Sequence, residues 1–422
     1  MSREIIIIFI SKYTNKIIKF IDNNLSKNLI IHNFDRYEII NTMKNIFDIV
    51  SKEHNEIKLI KSTKINKIHD YENNGLLFII YNKLYNNINN FVSWYRMEKS
   101  NIDLRKSLKK YYKKYYDILF NPIESRKKLH ELLYDNNFVS YDTVQHAESE
   151  NLIYKIYEGN NSEIHIYSIS EDKFPDIDII SKIISFMRKL FNKNTKLNLT
   201  IFYGQQKKYI TSHDKYICSD NVNSGASVMG VQIVIWREEE FYKVLIHELV
   251  HYFDVDFYIN DAIYSKINNI FQKKFKIDTN SIDRVNESYT EALATVIHSV
   301  IYSQIKNLDF NRILSYELLF EKFQIAKIFN HHKKFGGIYQ KTSAFSYYII
   351  KHMLLANYDE LFNFWHKYGF FIKNNEYEYI KLYQNTLNKI NINKEIEKIH
   401  FNSYLYDNKF IMNTMRMTMF QN

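Results

Sequence analysis

Val231-Gln232-Ile233-Val234-Ile235-Trp236-Arg237-Glu238-Glu239-Glu240-Phe241-Tyr242-Lys243-Val244-Leu245-Ile246-His247-Glu248-Leu249-Val250-His251 reads as a strand, a short turn and a helix. The run 231–236 is rich in β-branched residues, and Phe241, Val244, Leu245 and Leu249 then recur at helical spacing. Glu238, Glu239 and Glu240 are expected in the first turn, at the positive end of the helix dipole. On such a helix His247 and His251 are i and i+4, so both imidazoles can reach one Zn²⁺. Glu248 leaves the adjoining face, where its carboxylate can take a proton from a metal-activated water without filling a ligand position.

A site of this kind needs a third protein ligand and an open fourth position. One class continues the motif with a glycine and a third histidine, but this chain has Asp254 and Phe257 there, which excludes it. Further along, Asn286-Glu287-Ser288-Tyr289-Thr290-Glu291 lies in a second helical pattern, with Val285, Tyr289, Ala292, Val296 and Val300 at helix spacing and Asp283 as a cap. Glu287 and Glu291 are again i and i+4, so one carboxylate can reach a metal while the other accepts an imidazole N–H and fixes its tautomer.

Together these segments resemble the gluzincins, the thermolysin-like zinc metallopeptidases, whose downstream helix carries Asn-Glu-x-x-Ser/Thr-Asp/Glu. The resemblance covers residues 196–299 and departs in having Glu291 where Asp is common. It implies one Zn²⁺ held by His247, His251 and Glu287, with Glu291 holding a zinc-bound histidine and Glu248 as general base. It also implies an oxyanion-stabilising Tyr or His from the helical region downstream. Tyr347 and Tyr348 are favoured, within a stretch of small polar residues, over His331, His332 and Tyr339.

The expected fold is α+β, a zincin-like core of twisted sheet and active-site helix at 131–305, with largely helical regions at 1–130 and 306–422. Residues 177–191 carry an apolar helical face, and 163–167 and 197–201 read as strands. The segment 224–236, with Gly225 and Gly230, forms the expected upper rim of a substrate cleft, the glycines marking close backbone approach or a turn. The tail 415–420 alternates like a strand and reads as an edge strand in preference to a substrate-like tail.

Composition narrows the function classes. A single cysteine, Cys218, rules out an intrachain disulfide and a thiolate-rich metal site, and fits an intracellular, cytoplasmic life. Cys218 also lacks the Glu-Gly-Cys surroundings of deformylase-like enzymes, so it reads as a small packed residue. The apolar run 5–10 is too short for a signal peptide core, and no membrane span is expected. The net charge of +10 accompanies heavy use of Lys, Asn, Ile and Tyr with only 8 Gly and 2 Pro, an AT-rich coding bias, so nucleic acid is not expected as a partner. Residues 109–116 stripe lysines and tyrosines along a helix, which reads as tyrosines packed inward and lysines solvated in preference to an RNA- or membrane-binding face. The reading is a zinc-dependent peptide-bond hydrolase acting on a polypeptide. The alternatives are a zincin-fold scaffold that has lost catalysis and a basic nucleic-acid-binding protein whose motif is accidental.

Overall fold

The strands alternate between two apolar faces, and that alternation sets the layers. In the computed structural model, residues 11–53, 57–65, 121–256, 261–275, 284–337, 339–373, 375–397, 399 and 408–421 are described. The run 5–10, the segment 109–116 and Asp283 lie outside them. Among the described residues, six strands form one open sheet in the order β1-β2-β3-β4-β6-β5: β1 (Lys58–Ile65), β2 (Leu152–Gly159), β3 (Ser162–Ser168), β4 (Leu197–Phe202), β5 (Gly225–Val228) and β6 (Gln232–Ile235). The β3/β4 and β4/β6 pairs are parallel and the others antiparallel. The chain is thus mixed helix and sheet, as the α+β expectation requires at that level.

Among the described residues, the helices of eight or more residues are α1 (Lys12–Asn24), α2 (Glu38–Lys52), α3 (Asn121–Tyr134), α4 (Tyr141–Ser149), α5 (Ile177–Phe191), α6 (Phe241–Tyr252), α7 (Asp261–Phe275), α8 (Asn286–Lys306), α9 (Phe310–Lys333), α10 (Tyr358–Tyr368) and α11 (Glu376–Lys389). On one face of the sheet, Ile164, Ile166, Leu199, Ile201, Ile233 and Ile235 join the main core with α5, α6 and α8. On the other, Tyr154, Tyr167, Phe202, Val234 and Trp236 pack with Leu129 and Leu133 of α3 and Val144 of α4. The period of two in the strands therefore buries both faces.

Local signals explain the framing elements. Asp176 caps α5 by accepting from the Asp178 and Ile179 N–H groups at 2.9 and 3.3 Å, and Asn192 ends it in the left-handed region. Gly230 turns the β5/β6 hairpin at φ +64, a conformation open to glycine at little cost. β5 is an outer strand of the sheet, at the edge opposite β1, and packs against α6.

Three expectations are corrected or extended. No strand is read from the sequence before residue 130, yet β1 pairs with β2 from Lys58 to Ile65 around a bulge at Ile60, so this early segment is part of the same sheet. The glutamates 238–240 precede α6 instead of opening it: the helix begins at Phe241, and Glu240 is its N-cap with φ 61. The tail 415–420 is not a strand. An isolated bridge, Tyr209 with Thr414, lies just before it, and the tail then runs buried between α6, α9 and the helix Lys351–Ala356. There its backbone donors are taken by side chains, since Glu240 accepts from the Met417 and Thr418 N–H groups at 2.6 Å each. Glu317 accepts from the Met419 N–H at 3.1 Å. No helix among the described residues is long and apolar enough to cross a membrane.

Candidate metal centre

Helix α6 is buried on nearly every side, and His251 near its end is its one half-buried residue. Helix α8 packs against it and brings Glu287, at the start of α8, over the two histidines. The Nε2 atoms of His247 and His251 each lie 3.3 Å from Glu287 Oε2, and 2.9 Å from each other. Tetrahedral ligands at about 2.0–2.1 Å from a common ion stand about 3.3 Å apart, so two of these three separations have that spacing.

The outer nitrogens of both rings face carboxylates. His247 Nδ1 is 2.9 Å from Glu291 Oε1, and His251 Nδ1 is 2.9 Å from Asp256 Oδ2. With a proton on each Nδ1, both Nε2 lone pairs point at the same volume as Glu287 Oε2, a buried oxygen without a hydrogen bond. Three converging lone-pair donors repel unless protons or a metal ion lie between them, and this donor set fits a divalent metal ion. His247, His251 and Glu287 are the residues that would hold it.

Each supporting carboxylate is itself anchored. Asp256 Oδ2 accepts from Thr290 Oγ1 at 2.7 Å and from Asn286 Nδ2 at 3.1 Å, so the Asn and Thr of the second motif orient the partner of His251. Glu291 Oε2 takes the ammonium of Lys243, one helical turn before His247 and buried with it. Burial opposes charge on both histidines, yet Glu291 and Glu287 raise His247, and Asp256 and Glu287 raise His251 well above the usual imidazole value. Burial likewise acts against ionised Glu287, but His251 and His247 outweigh it and lower its pKa.

Glu248 sits beside this group without belonging to it. Burial raises its pKa, with His247, His251 and Ser227 opposing. The carboxylate lies under β5 at a point where a Cβ on residue 225 would meet Glu248 Oε1 at 2.7 Å, so Gly225 is required for close approach and not for a turn. A cleft of about 120 Å³ opens here, with His247, Glu248, His251 and Glu287 at its base and Met229, Phe138, Arg284 and Tyr347 around it.

The five candidate oxyanion donors separate. Tyr347 lies in a π-helical turn, Ser346–Ile350, and its ring stands 6.4 Å from that of His247. Burial, then Glu287, Glu291 and Glu248, raise its pKa well above the usual phenol value and keep its hydroxyl protonated. The Tyr348 hydroxyl instead donates to the Met415 carbonyl. His331 and His332 line a different cavity, and Tyr339 packs edge-on against Tyr216. Cys218 is half-buried beside the short helix Ser219–Val222 and is not in the ligand group.

Sequence reasoning missed Asp256, Lys243, Arg284 and Phe138. Lys243 left one signal, a lysine in an otherwise apolar helix at i−4 from His247, and Asp256 another, a carboxylate just past that helix. Arg284 and Phe138 reach the cleft only through the packing of distant segments and left none. No family model, curated protein or solved structure matches this chain.

Proposed function

We propose that the chain is a zinc-dependent peptide-bond hydrolase of gluzincin type, with a zincin-like core formed by the sheet, α6 and α8. The observation that carries the reading is the convergence of His247 Nε2, His251 Nε2 and Glu287 Oε2, with a separate anchored carboxylate behind each imidazole. Two imidazoles and one carboxylate suit Zn²⁺ and leave a position open. Zinc, when bound, supplies Lewis-acid polarisation of a carbonyl and makes water easier to deprotonate.

The chain's own groups do the rest. Glu248 takes the proton of the attacking water on its carboxylate and passes it to the leaving amine, a role suited to a buried carboxylate of raised pKa. Tyr347, neutral and facing the same cleft, donates its hydroxyl to the oxygen that gains negative charge. β5, as an outer strand, offers its free edge to an extended polypeptide, which would lie across the cleft over His247 and Glu248. Exposed Val228, Met229 and Val231 on the hairpin give that edge an apolar rim.

Digestion of a proteome-derived peptide library by the wild type and by Glu248→Gln, at matched zinc content, tests the assignment. Cleavage by the wild type alone is expected. Equal cleavage by Glu248→Gln would refute Glu248 as the base, and no cleavage by either would refute the peptidase reading.

A further inference from the structure

A second cavity, of about 480 Å³, lies away from the metal centre, between the loop around Tyr209, the end of α9 and the start of the tail. Its volume is within the range of small-molecule sites. Among the described residues, three lysines and three histidines line it, Lys327, Lys334, Lys409, His213, His331 and His332, and no carboxylate does; burial lowers the pKa of His332 to about 4, so that ring is neutral and the positive charge rests on the lysines. Asp214, next to this wall, turns its carboxylate to the Thr211 N–H at 2.6 Å. Lys327 lies at the buried end. Its ammonium donates to the Ile411 carbonyl at 3.3 Å and to that of Thr414, and has a third donor to offer. Burial alone accounts for the lowering of its pKa to about 7, so no anion of the protein compensates it. The remaining wall is apolar, with Ile210, Ile217, Ile328 and Met415.

Lysine ammonium groups gathered round a partly dry space without a counter-charge repel one another, and a bound anion removes that cost. We propose that this cavity binds a small phosphate monoester with an apolar or aromatic body, its phosphoryl group at Lys327 and the rim lysines. A phosphate dianion matches several cations where a carboxylate supplies one charge, and its three terminal oxygens can accept from several donors at once. The apolar wall accounts for the body of the ligand, since an ion alone would leave Ile210, Ile217 and Ile328 unused. The inference rests on this cavity and does not depend on the zinc-peptidase reading.

Isothermal titration of the full chain with phenyl phosphate, inorganic phosphate and benzoate tests it. Saturable binding of one phenyl phosphate per chain is expected with a Kd below about 1 mM. Inorganic phosphate should bind more weakly, and benzoate at least about tenfold more weakly. Lys327→Met should weaken phenyl phosphate at least about tenfold, and the double variant Lys334→Glu, Lys409→Glu should do the same. The double variant alters only exposed side chains, so its effect can be read even if Lys327→Met fails to fold. Absence of saturable binding, equal affinity for benzoate, or unchanged affinity in the double variant would overturn the proposal. The last outcome would also follow from phosphate captured at the metal centre.

Discussion

One methyl group at position 225 should disturb the proposed base. The added Cβ would meet Glu248 Oε1 at 2.7 Å and Val244 Cγ1 at 2.9 Å, so in Gly225→Ala either β5 or the carboxylate has to move. Steady-state peptide cleavage by this variant is predicted to lose up to about 100-fold in kcat with zinc content unchanged, because the ligands are untouched and only the base is displaced. Lys243 acts at one remove from the proposed metal. It grips Glu291, which faces His247 Nδ1, and so holds the imidazole in the orientation that frees Nε2. Lys243→Met is predicted to weaken zinc binding about 10–100-fold in competition with a chelator. Asp256→Asn should weaken it similarly through His251. Unchanged affinity in both variants would mean that the outer carboxylates do not orient the rings.

Helices α6 and α8 were readable because their chemistry is local. His247 with His251, and Glu287 with Glu291, are i,i+4 pairs, and periodicity alone places each pair on one face. What the sequence hid depends on packing between distant segments. Tyr347 and Tyr348 are adjacent and chemically alike, and only the π turn with the Met415 carbonyl decides which reaches the cleft. β1 was missed because its strand, Lys-Leu-Ile-Lys-Ser-Thr-Lys-Ile, is largely exposed at the sheet's edge and lacks the apolar alternation of a half-buried strand. The tail alternates like a strand, but its residues are buried on every side and its donors go to Glu240 and Glu317. Glu240 also pairs with Lys208 at 2.7 Å, so Glu240→Ala leaves a buried ammonium and two backbone donors unpaired. This change is predicted to cost about 3–5 kcal/mol in denaturant unfolding, and a loss below about 1 kcal/mol would show that the tail is not anchored this way.

At the scale of the whole molecule, the buried acids tie stability to pH. Burial, aided by the charge of Glu321, pushes Glu317 from 4.5 up to about 7. Its folded pKa exceeds its unfolded value, so between those values the native state holds the extra proton and stability falls as pH rises. Denaturation midpoints at about pH 5 and about pH 8 should therefore differ less in Glu317→Gln than in the wild type, and an equal difference would remove Glu317 as the cause. Zinc binding by the native state alone should also raise the melting temperature, and removal of the metal should lower it. The most direct test of the account is the metal content of the purified chain measured by native mass spectrometry, wild type beside His247→Ala and Glu287→Gln. About one zinc per wild-type chain, lost or sharply reduced in both variants, is the predicted result. A zinc-free wild type, or full zinc retention in His247→Ala, would contradict it.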